Sequence, residues 1–579
     1  MLTSEAPALS GATADSSHKT EGRIWSSSWR RASRFKPQRG SLVREQREAL
    51  DHPLTSSQPH DANVDPGSEA NVGMSMATAL TPAESVPSAT RDRTGAIVKT
   101  AAALLSVQGM TWLTSLVSLL VVPRYLGAGN LGIWATAGTL AGIAALVASW
   151  GTANQLIKDI ARQPEGAASL FVHVVALRLA IWSCFALLIA AVTVVMIDDF
   201  TIRVVIFLML AGGAVGLIGS AASSALQGNQ TIGVLSFIGA VLGAGSQAAI
   251  ILVLMRGGGL IGLALVGTGA VSAVAVVSVV LFWRKLGRRV SLSKSAVIGV
   301  ASGGVAFLAW DVALQTYASI DYVLLAALTD SKTVGEYAFA LRLSAIPAFV
   351  ATVVTASIYP ALAAAAHSDR AFFKRVLTEG TRIVIVVSLP MATGLIVLAP
   401  QLTRLIGGGH QYDEAVPLLI ILCIQIPLVA IDTVLGTGLF ALDKQRRLAI
   451  VGWCAAVLNP AINLAAIPLT VHWFNNGAIG AAVITAATEC FVGGWIWVTL
   501  GPRLEHRKTF SVIGRSLLAC LVMGTVVYVA QPHTGVFAAI PLGAAIYGLL
   551  ALAFGLVSLS EAKRLRAALG RKDPEPALA

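Results

Sequence analysis

Charged residues are scarce in this sequence. They make up 12% of its 579 residues, whereas hydrophobic residues make up 55%, and the mean hydropathy is +0.73. Soluble domains carry about 25% charged residues, so this composition excludes an ordinary soluble domain. The formal net charge is +12, but most Lys and Arg residues lie between apolar runs, where membrane topology explains them better than nucleic-acid binding does. No nucleic-acid partner is predicted.

Sequence motifs of enzymes and metal sites are also missing. The patterns GxxxxGK[ST], HExxH and GxSxG do not occur, which argues against a built-in ATPase, a zinc protease and a serine hydrolase. The five cysteines form no CxxC pair, so neither a metal site nor a disulfide framework is indicated. The segments between apolar runs are too short for a catalytic domain. We therefore expect a non-enzymatic protein without cofactor, metal ligands or catalytic residues.

Long apolar runs dominate the chain instead. A helix needs about 20 mostly apolar residues to cross a bilayer, and in lipid such runs form helices because the backbone must bond internally. The sequence predicts an all-α polytopic membrane protein with about fourteen transmembrane helices. The predicted spans are 98–122, 131–156, 169–195, 201–226, 231–255, 259–283, 297–328, 334–362, 378–399, 414–440, 447–471, 477–500, 510–530 and 536–559.

The distribution of positive charge predicts the orientation in the membrane. With an even number of spans, both termini lie on one side, and the connections on that side carry 22 Lys and Arg residues. The opposite side carries five: Arg124, Arg203, Arg256, Lys332 and Arg404. Because positive residues stay on the cytoplasmic side, both termini are predicted to be cytoplasmic. Residues 1–94, which lack apolar periodicity, are predicted to be a disordered basic tail, and residues 561–579 a second cytoplasmic tail.

The chain repeats itself. Residues 334–365 align with residues 131–162 at a shift of 203, so that Gly335 corresponds to Gly132. "GAIGAAV" at 477–483 likewise corresponds to "GLIGLAL" at 259–265. This order predicts an N-terminal six-helix half (95–284), a related C-terminal half (285–500) and an additional helix pair (501–560). Two halves that both begin in the cytoplasm are related by a pseudo-twofold axis along the membrane normal, as in many secondary transporters.

Four segments carry a family resemblance. They are "RYLGAGNLGIWA", "IDYVLLAALTDSKTVGEYAFALRL", "LIGGGHQYDEAVPLLIIL" and "ALDKQRRLAIVGWCAAVLNPAINLAAIPL" followed by "GAIGAAVITAATE". Over residues 95–500 the chain resembles the polysaccharide-type lipid-linked oligosaccharide flippases of the multidrug/oligosaccharidyl-lipid/polysaccharide exporter superfamily. The resemblance implies a multi-pass protein of the bacterial inner membrane. By alternating access, it would move polyprenyl-diphosphate-linked oligosaccharide from the cytoplasmic to the outer leaflet.

The same resemblance implies a place in exopolysaccharide or cell-surface polysaccharide synthesis, with membrane lipid, polysaccharide polymerase and glycosyltransferases as partners. Two alternatives stay within the superfamily: a flippase for the peptidoglycan precursor and a multidrug/cation antiporter. An antiporter should have an acidic cavity in the first half, and the first six spans contain no mid-span Asp or Glu. A polysaccharide polymerase or ligase is disfavoured by the short outer connections.

Polar side chains within the spans are the candidate substrate-binding residues. A charge at the centre of a membrane helix costs about 2.5–3.5 kcal/mol on insertion scales, so such residues usually face a cavity or a partner. The candidates are Arg178, Arg342, Asp311, Gln315, Asp321, Glu489, Asn459 and Asn463. In a flippase, Asp311 and Glu489 could carry a coupling proton. The amides of Asn459 and Asn463, one helical turn apart, suit either helix packing or sugar hydroxyls.

The two arginines are the candidates for a diphosphate, because the planar guanidinium forms paired hydrogen bonds to phosphate oxygens. Asp321 and Arg342 lie at similar depth on consecutive antiparallel helices. One possibility is an interhelical ion pair between them. The other is that Arg342 faces the cavity and binds substrate, with Asp321 holding it in place. Arg178 has no acidic partner in its own or the neighbouring spans. It is therefore predicted to face the cavity and to contact the diphosphate.

The predicted orientation can be tested by cysteine labelling of intact cells. Arg288→Cys and Arg507→Cys should not react with an impermeant thiol reagent, because both positions are predicted to be cytoplasmic. His410→Cys should react. Labelling at position 288 without lysis would reverse the assignment.

Overall fold

The structure, a computed structural model, describes residues 88–229, 232–287, 290 and 293–558. Within these residues there are fifteen α-helices and no β-strand. The helices are α1 (Ser88–Ser149), α2 (Thr152–Arg162), α3 (Ala167–Met196), α4 (Phe200–Gly228), α5 (Ile232–Met255), α6 (Gly259–Leu286), α7 (Lys294–Leu328), α8 (Ser331–Ser344), α9 (Ala348–Ala365), α10 (Arg370–Val397), α11 (Ala399–Gly407), α12 (Ala415–Ala441), α13 (Gln445–Phe474), α14 (Gly477–Leu500) and α15 (His506–Ala553).

The described helices confirm an all-α polytopic membrane protein. Eleven candidate spans in this part of the chain are long and apolar enough to cross a membrane. Two of them, Val117–Arg162 and His506–Ala553, are 46 and 48 residues long. The first of these contains a kink at Gly127 (φ 73°) and the second a kink at Gly535 (φ 70°), both in the left-handed region that glycine tolerates. The total of fourteen spans stays a prediction.

The predicted tails lie almost entirely outside the described residues. The exception is residues 88–94, which were predicted to be disordered and instead belong to α1. This part of the prediction was wrong because the segment continues directly into the first apolar run, so the helix extends beyond the apolar residues.

Side chains on the outside of the helices are those that lipid can solvate. Leu187, Val498 and Phe537 are 71%, 79% and 80% exposed. Where helices begin, short polar residues cap them: Asp199 accepts hydrogen bonds from two backbone N–H groups of α4, and Asp330 accepts one from Thr333 in α8. The chain thus satisfies its helix ends at the connections and exposes apolar surface between them.

Helices α1 and α8 pack against each other most tightly at a pair of glycines. A Cβ atom at Gly132 would lie 1.8 Å from the carbonyl oxygen of Ser331, and one at Gly335 would lie 1.8 Å from that of Ala128. The two contacts are reciprocal, and the repeat shift of 203 relates Ala128 to Ser331 as it relates Gly132 to Gly335. Reciprocal contacts are what a twofold axis produces, which supports the predicted pseudo-twofold.

Several helices surround this contact. α1 also packs against α3, α4, α5 and α7, whereas α8 also packs against α12 and α14. α7 contacts α1, α2 and α3 on one side and α13 and α14 on the other. Helix α15 packs against α10. α7 and α8 therefore lie between the first helices of the chain and α12–α14, where the polar residues described below are found.

Substituting either glycine should separate α1 from α8. Gly132→Ala and Gly335→Ala each place a methyl group against a backbone carbonyl that cannot rotate away, and we expect a loss of about 1–3 kcal/mol in stability. The measurement is thermal unfolding of the purified protein in detergent.

Gly138→Ala is the matched control. Gly138 lies on the same helix as Gly132, and a Cβ atom there would meet nothing within 4 Å. Its stability should be unchanged or slightly increased. Equal midpoints for Gly132→Ala and Gly138→Ala would show that the close contact is not required.

Candidate functional site

A buried carboxylate organises the polar residues of the C-terminal region. Asp321 on α7 is 5% exposed. The hydroxyl of Tyr337 on α8 donates to its Oδ2 at 2.8 Å, and the Thr485 hydroxyl on α14 lies 2.8 Å from the same oxygen. The Asn463 amide on α13 donates to Oδ1 at 2.9 Å. Four helices therefore meet at one carboxylate, which satisfies its charge without a cationic side chain.

Both predicted asparagines belong to this network. The Nδ2 of Asn463 lies 3.0 Å from Oδ1 of Asn459, and Nδ2 of Asn459 lies 3.4 Å from the hydroxyl of Thr488. Asn459 and Asn463 are 1% and 0% exposed. The Oδ1 atom of Asn463 is buried without a protein partner. Their one-turn spacing places both amides on the face of α13 that meets α7 and α14.

A pocket of about 230 Å³ opens beside Asp321. It is lined by Tyr317, Ala318, Asp321, Tyr337, Leu341, Ser344, Ala345, Ala348, Gln425, Ile426, Val429, Thr485 and Glu489. The Tyr317 hydroxyl donates to Glu489 across the pocket, between α7 and α14. Two carboxylates, two phenols, one amide and two hydroxyls thus face one space inside the helical bundle.

A third carboxylate lies close to Glu489. Asp432 on α12 approaches the backbone of α14 so closely that a Cβ atom at Gly493 would lie 2.5 Å from its Oδ1. Its Oδ2 is buried without a hydrogen-bond partner. Gly493 is one turn after Glu489, so the two carboxylates lie on the same side of α14. The pocket is acidic, which suits a cation, a proton or sugar hydroxyls and does not suit a diphosphate.

The ion pair between Asp321 and Arg342 is not formed. Asp321 instead accepts from neutral donors on three other helices, as described above. In the described part of the chain, no carboxylate lies within 4.0 Å of the Arg342 guanidinium. Arg342 is half-buried on α8. The expectation failed because tyrosine, threonine and asparagine were not weighed as partners of a buried carboxylate.

Arg178 is buried among α2, α3 and α4, and its contact with a diphosphate stays a prediction. It is 1% exposed on α3. Its Nε donates to the Thr152 hydroxyl at 2.9 Å, and its Nη1 donates to the Leu217 carbonyl at 3.0 Å and to the Ser220 hydroxyl at 2.9 Å. Thr152 begins α2 directly after a break at Gly151, where φ is 63°. Arg178 therefore connects this helix break to α3 and α4.

Asp311 and Gln315 are separate from the Asp321 network. Gln315 donates to the Ser319 hydroxyl at 2.9 Å, one turn further along α7. Asp311 is half-exposed. Neither residue lines the pocket. Of the eight predicted residues, the structure thus brings together Asp321, Glu489, Asn459 and Asn463, and it leaves the other four elsewhere.

Five polar residues of the pocket were missed by the sequence analysis: Tyr317, Tyr337, Ser344, Gln425 and Thr485. A spacing pattern could have found two of them, because Tyr317 precedes Asp321 by four residues and Thr485 precedes Glu489 by four. Residues four apart share a helix face. Tyr337 had no such signal, since its partner lies on another helix.

Comparisons with known proteins give matches to families of membrane transport and polysaccharide biosynthesis proteins. The family model described as "Polysaccharide biosynthesis protein" matches residues 97–366, and that of "Lipid II flippase MurJ" matches residues 312–539. "Probable flippase AglR" of Haloferax volcanii is 25% identical over 293 residues. That match covers 48% of this chain and 59% of the relative, so the chain spans less than two thirds of AglR.

Two solved structures show the fold. "Lipid II flippase MurJ, inward closed conformation" has a TM-score of 0.63 at 11% identity, and the match covers 79% of this chain and 98% of the MurJ chain. An inward-facing multidrug resistance MATE family transporter of the MOP superfamily has a TM-score of 0.52 at 15% identity, with coverages of 70% and 98%. The chain therefore has the helical fold of these transporters. The sequence matches confirm its predicted resemblance to the polysaccharide-type flippase family.

The position of Arg178 predicts a structural role. Arg178→Ala would leave a cavity and the hydroxyls of Thr152 and Ser220 without their donor, so stability should fall by about 3 kcal/mol. Thermal unfolding in detergent and the amount of protein in the membrane are the measurements.

Arg162→Ala is the control, since Arg162 is exposed at the end of α2 and its loss should leave the unfolding midpoint unchanged. An Arg178→Ala protein as stable as the parent, but inactive in transport, would return Arg178 to the substrate site.

Proposed function

We propose that this protein flips a polyprenyl-diphosphate-linked oligosaccharide from the cytoplasmic to the outer leaflet of the bacterial inner membrane, with both termini cytoplasmic. The observation that carries the proposal is Arg342 on α8, which is half-buried and has no carboxylate within 4.0 Å among the described residues, in a bundle with the helical fold of the MurJ and MATE structures. The sequence matches to polysaccharide biosynthesis proteins and to AglR support a lipid-linked saccharide as cargo. The protein acts as a transporter and not as an enzyme.

Arg342 is the residue we assign to the diphosphate. It lies on α8, which packs against α1, and Tyr412, which stacks on Phe339 of α8, donates to the Pro123 carbonyl of α1 at 3.0 Å. Arg342 is thus placed where the first helices meet the later ones, the place where a transporter of two related halves holds its substrate. A guanidinium without a carboxylate partner is available to phosphate oxygens.

The acidic pocket is assigned to coupling. Asp321 and Glu489 lie in a region of low dielectric, where a carboxylate is favoured to take up a proton or a monovalent cation. Neutralising such a site changes the electrostatic cost of moving α7 and α14 past each other. Alternating access could then be driven by an ion gradient, without nucleotide, in agreement with the missing ATPase motif.

A second candidate is a flippase for the peptidoglycan precursor. The match of residues 312–539 to the Lipid II flippase MurJ family model favours it. Such a substrate also carries a diphosphate, so the role of Arg342 would be the same. A multidrug/cation antiporter is favoured by the acidic pocket alone.

The proposal predicts that Arg342→Ala lowers transport strongly. Losing a charge-assisted hydrogen bond to phosphate costs about 2 kcal/mol, so flipping should fall roughly thirtyfold. Arg342→Lys keeps the charge but loses the paired geometry, and it should retain part of the activity. The measurement is the flipping of polyprenyl-diphosphate-linked sugar by the purified protein in vesicles without nucleotide.

Arg256→Ala is the matched control, because Arg256 is an exposed arginine on the predicted outer side. It should transport normally. Full activity of Arg342→Ala would remove that residue from the site, and an absolute ATP requirement of the purified protein would overturn gradient-driven transport. Preference for a peptidoglycan precursor over other lipid-linked sugars would select the second candidate.

A further inference from the structure

A second pocket lies between α10 and α15, apart from the Asp321 pocket. Its volume is about 180 Å³. It is lined by Arg375, Thr378, Glu379, Arg382, Glu505, Lys508, Thr509, Val512 and Arg515. Four cationic side chains and two carboxylates therefore line one small space between the N-terminal parts of α10 and α15.

Both carboxylates of this pocket already have cationic partners. Nε of Arg382 donates to Glu379 at 2.8 Å, and the Lys508 ammonium lies 2.6 Å from Glu505. The hydrogen bond from Lys508 lowers the pKa of Glu505, and the nearby charge of Arg375 acts in the same direction. Two of the four positive charges are thus balanced within the pocket.

The other two positive charges have no such balance. Among the residues that the structure describes, no carboxylate lies within ion-pair distance of Arg375 or Arg515. Arg515 donates only to backbone carbonyls, those of Ser511 at 3.2 Å and Phe554 at 2.9 Å. The pocket therefore carries an excess of two positive charges.

An unpartnered hydroxyl also lines the pocket. The Oγ1 atom of Thr378 is buried and has no hydrogen-bond partner. A buried hydroxyl normally has one, and the arginines on either side are donors that cannot accept from it. Two guanidinium groups and a hydroxyl around one space are donors that match the oxygens of a phosphate group.

The pocket lies at the boundary of the apolar bundle. The second to fourth turns of α10 and the first three turns of α15 form its walls. The chain returns to it after α15, where the Leu556 carbonyl accepts from Arg382 at 2.6 Å. On α10, the neighbouring side chains Phe372 and Ile383 are exposed by 43% and 39%. Charged donors and exposed apolar side chains are thus adjacent, as at the level of lipid headgroups.

We propose that this pocket binds the phosphate of an anionic phospholipid headgroup in the cytoplasmic leaflet, with an acyl chain against Ile383. Basic pockets between transmembrane helices on the cytoplasmic side bind such headgroups. A lipid held there joins α10 to the additional helix pair. The site is independent of the substrate assigned to the protein.

The test measures binding of phosphatidylglycerol, phosphatidylcholine and inorganic phosphate to the purified full-length protein in detergent. The parent protein should bind one phosphatidylglycerol saturably and in preference to phosphatidylcholine, and inorganic phosphate should not compete at the same concentration. A cation near the headgroup contributes about fivefold in affinity, so Arg375→Gln combined with Arg515→Gln should weaken binding roughly thirtyfold.

Arg446→Gln combined with Arg447→Gln is the matched control, because both residues are exposed at the start of α13 and outside the pocket. It removes the same charge and should leave the affinity nearly unchanged. Arg375→Gln alone, at an exposed position that leaves packing intact, should weaken binding about fivefold. Equal losses in the two double variants would overturn the site, and equal binding of inorganic phosphate would overturn a lipid as its occupant.

Discussion

The burial of Asp321 depends on hydrogen-bond donors that arrive from three other helices. In a bilayer no water is available to a buried carboxylate, so its lone pairs must be satisfied by the protein. Tyr337, Asn463 and Thr485 supply these donors from α8, α13 and α14. The relative positions of these helices and α7 are therefore tied to one carboxylate. Arg178 illustrates the same constraint for a cation, which is satisfied by hydroxyls and a carbonyl where a helix is broken.

The contact between Gly132 and Gly335 differs in kind from these polar networks. It involves no polar side chain, so separating the two helices and bringing them together again breaks and forms no side-chain hydrogen bond. Small residues allow helices in lipid to approach closely. α8 carries both this contact and part of the pocket wall, at Tyr337 and Leu341. A movement of α8 away from α1 would therefore also change the pocket. This connection links the repeat symmetry to the proposed alternating access.

Charge is segregated within the molecule. The pocket at Asp321 and Glu489 is acidic, Arg342 on α8 is not among the residues that line it, and excess positive charge surrounds the pocket between α10 and α15. A cation or proton and a phosphate group therefore have different places to bind. This separation allows an ion to influence transport without competing directly for the groups that hold an anionic substrate.

The class of fold was determined by the sequence itself, because twenty-residue apolar runs have one stable form in lipid and because capping residues such as Asp330 act on their own helix. The repeat was also visible, since related halves keep Gly132 and Gly335 in register. The partners of the buried charges were decided only by the tertiary structure. Asp321 bonds to residues 142 and 164 positions away, and periodicity along one helix carries no information about which face of another helix it meets. For the same reason the sequence analysis paired Asp321 with Arg342 and did not identify the hydroxyl and carbonyl partners of Arg178. Opposite charges are the partners that a sequence makes visible, whereas a bundle can satisfy a buried charge with neutral hydroxyls, amides and carbonyls.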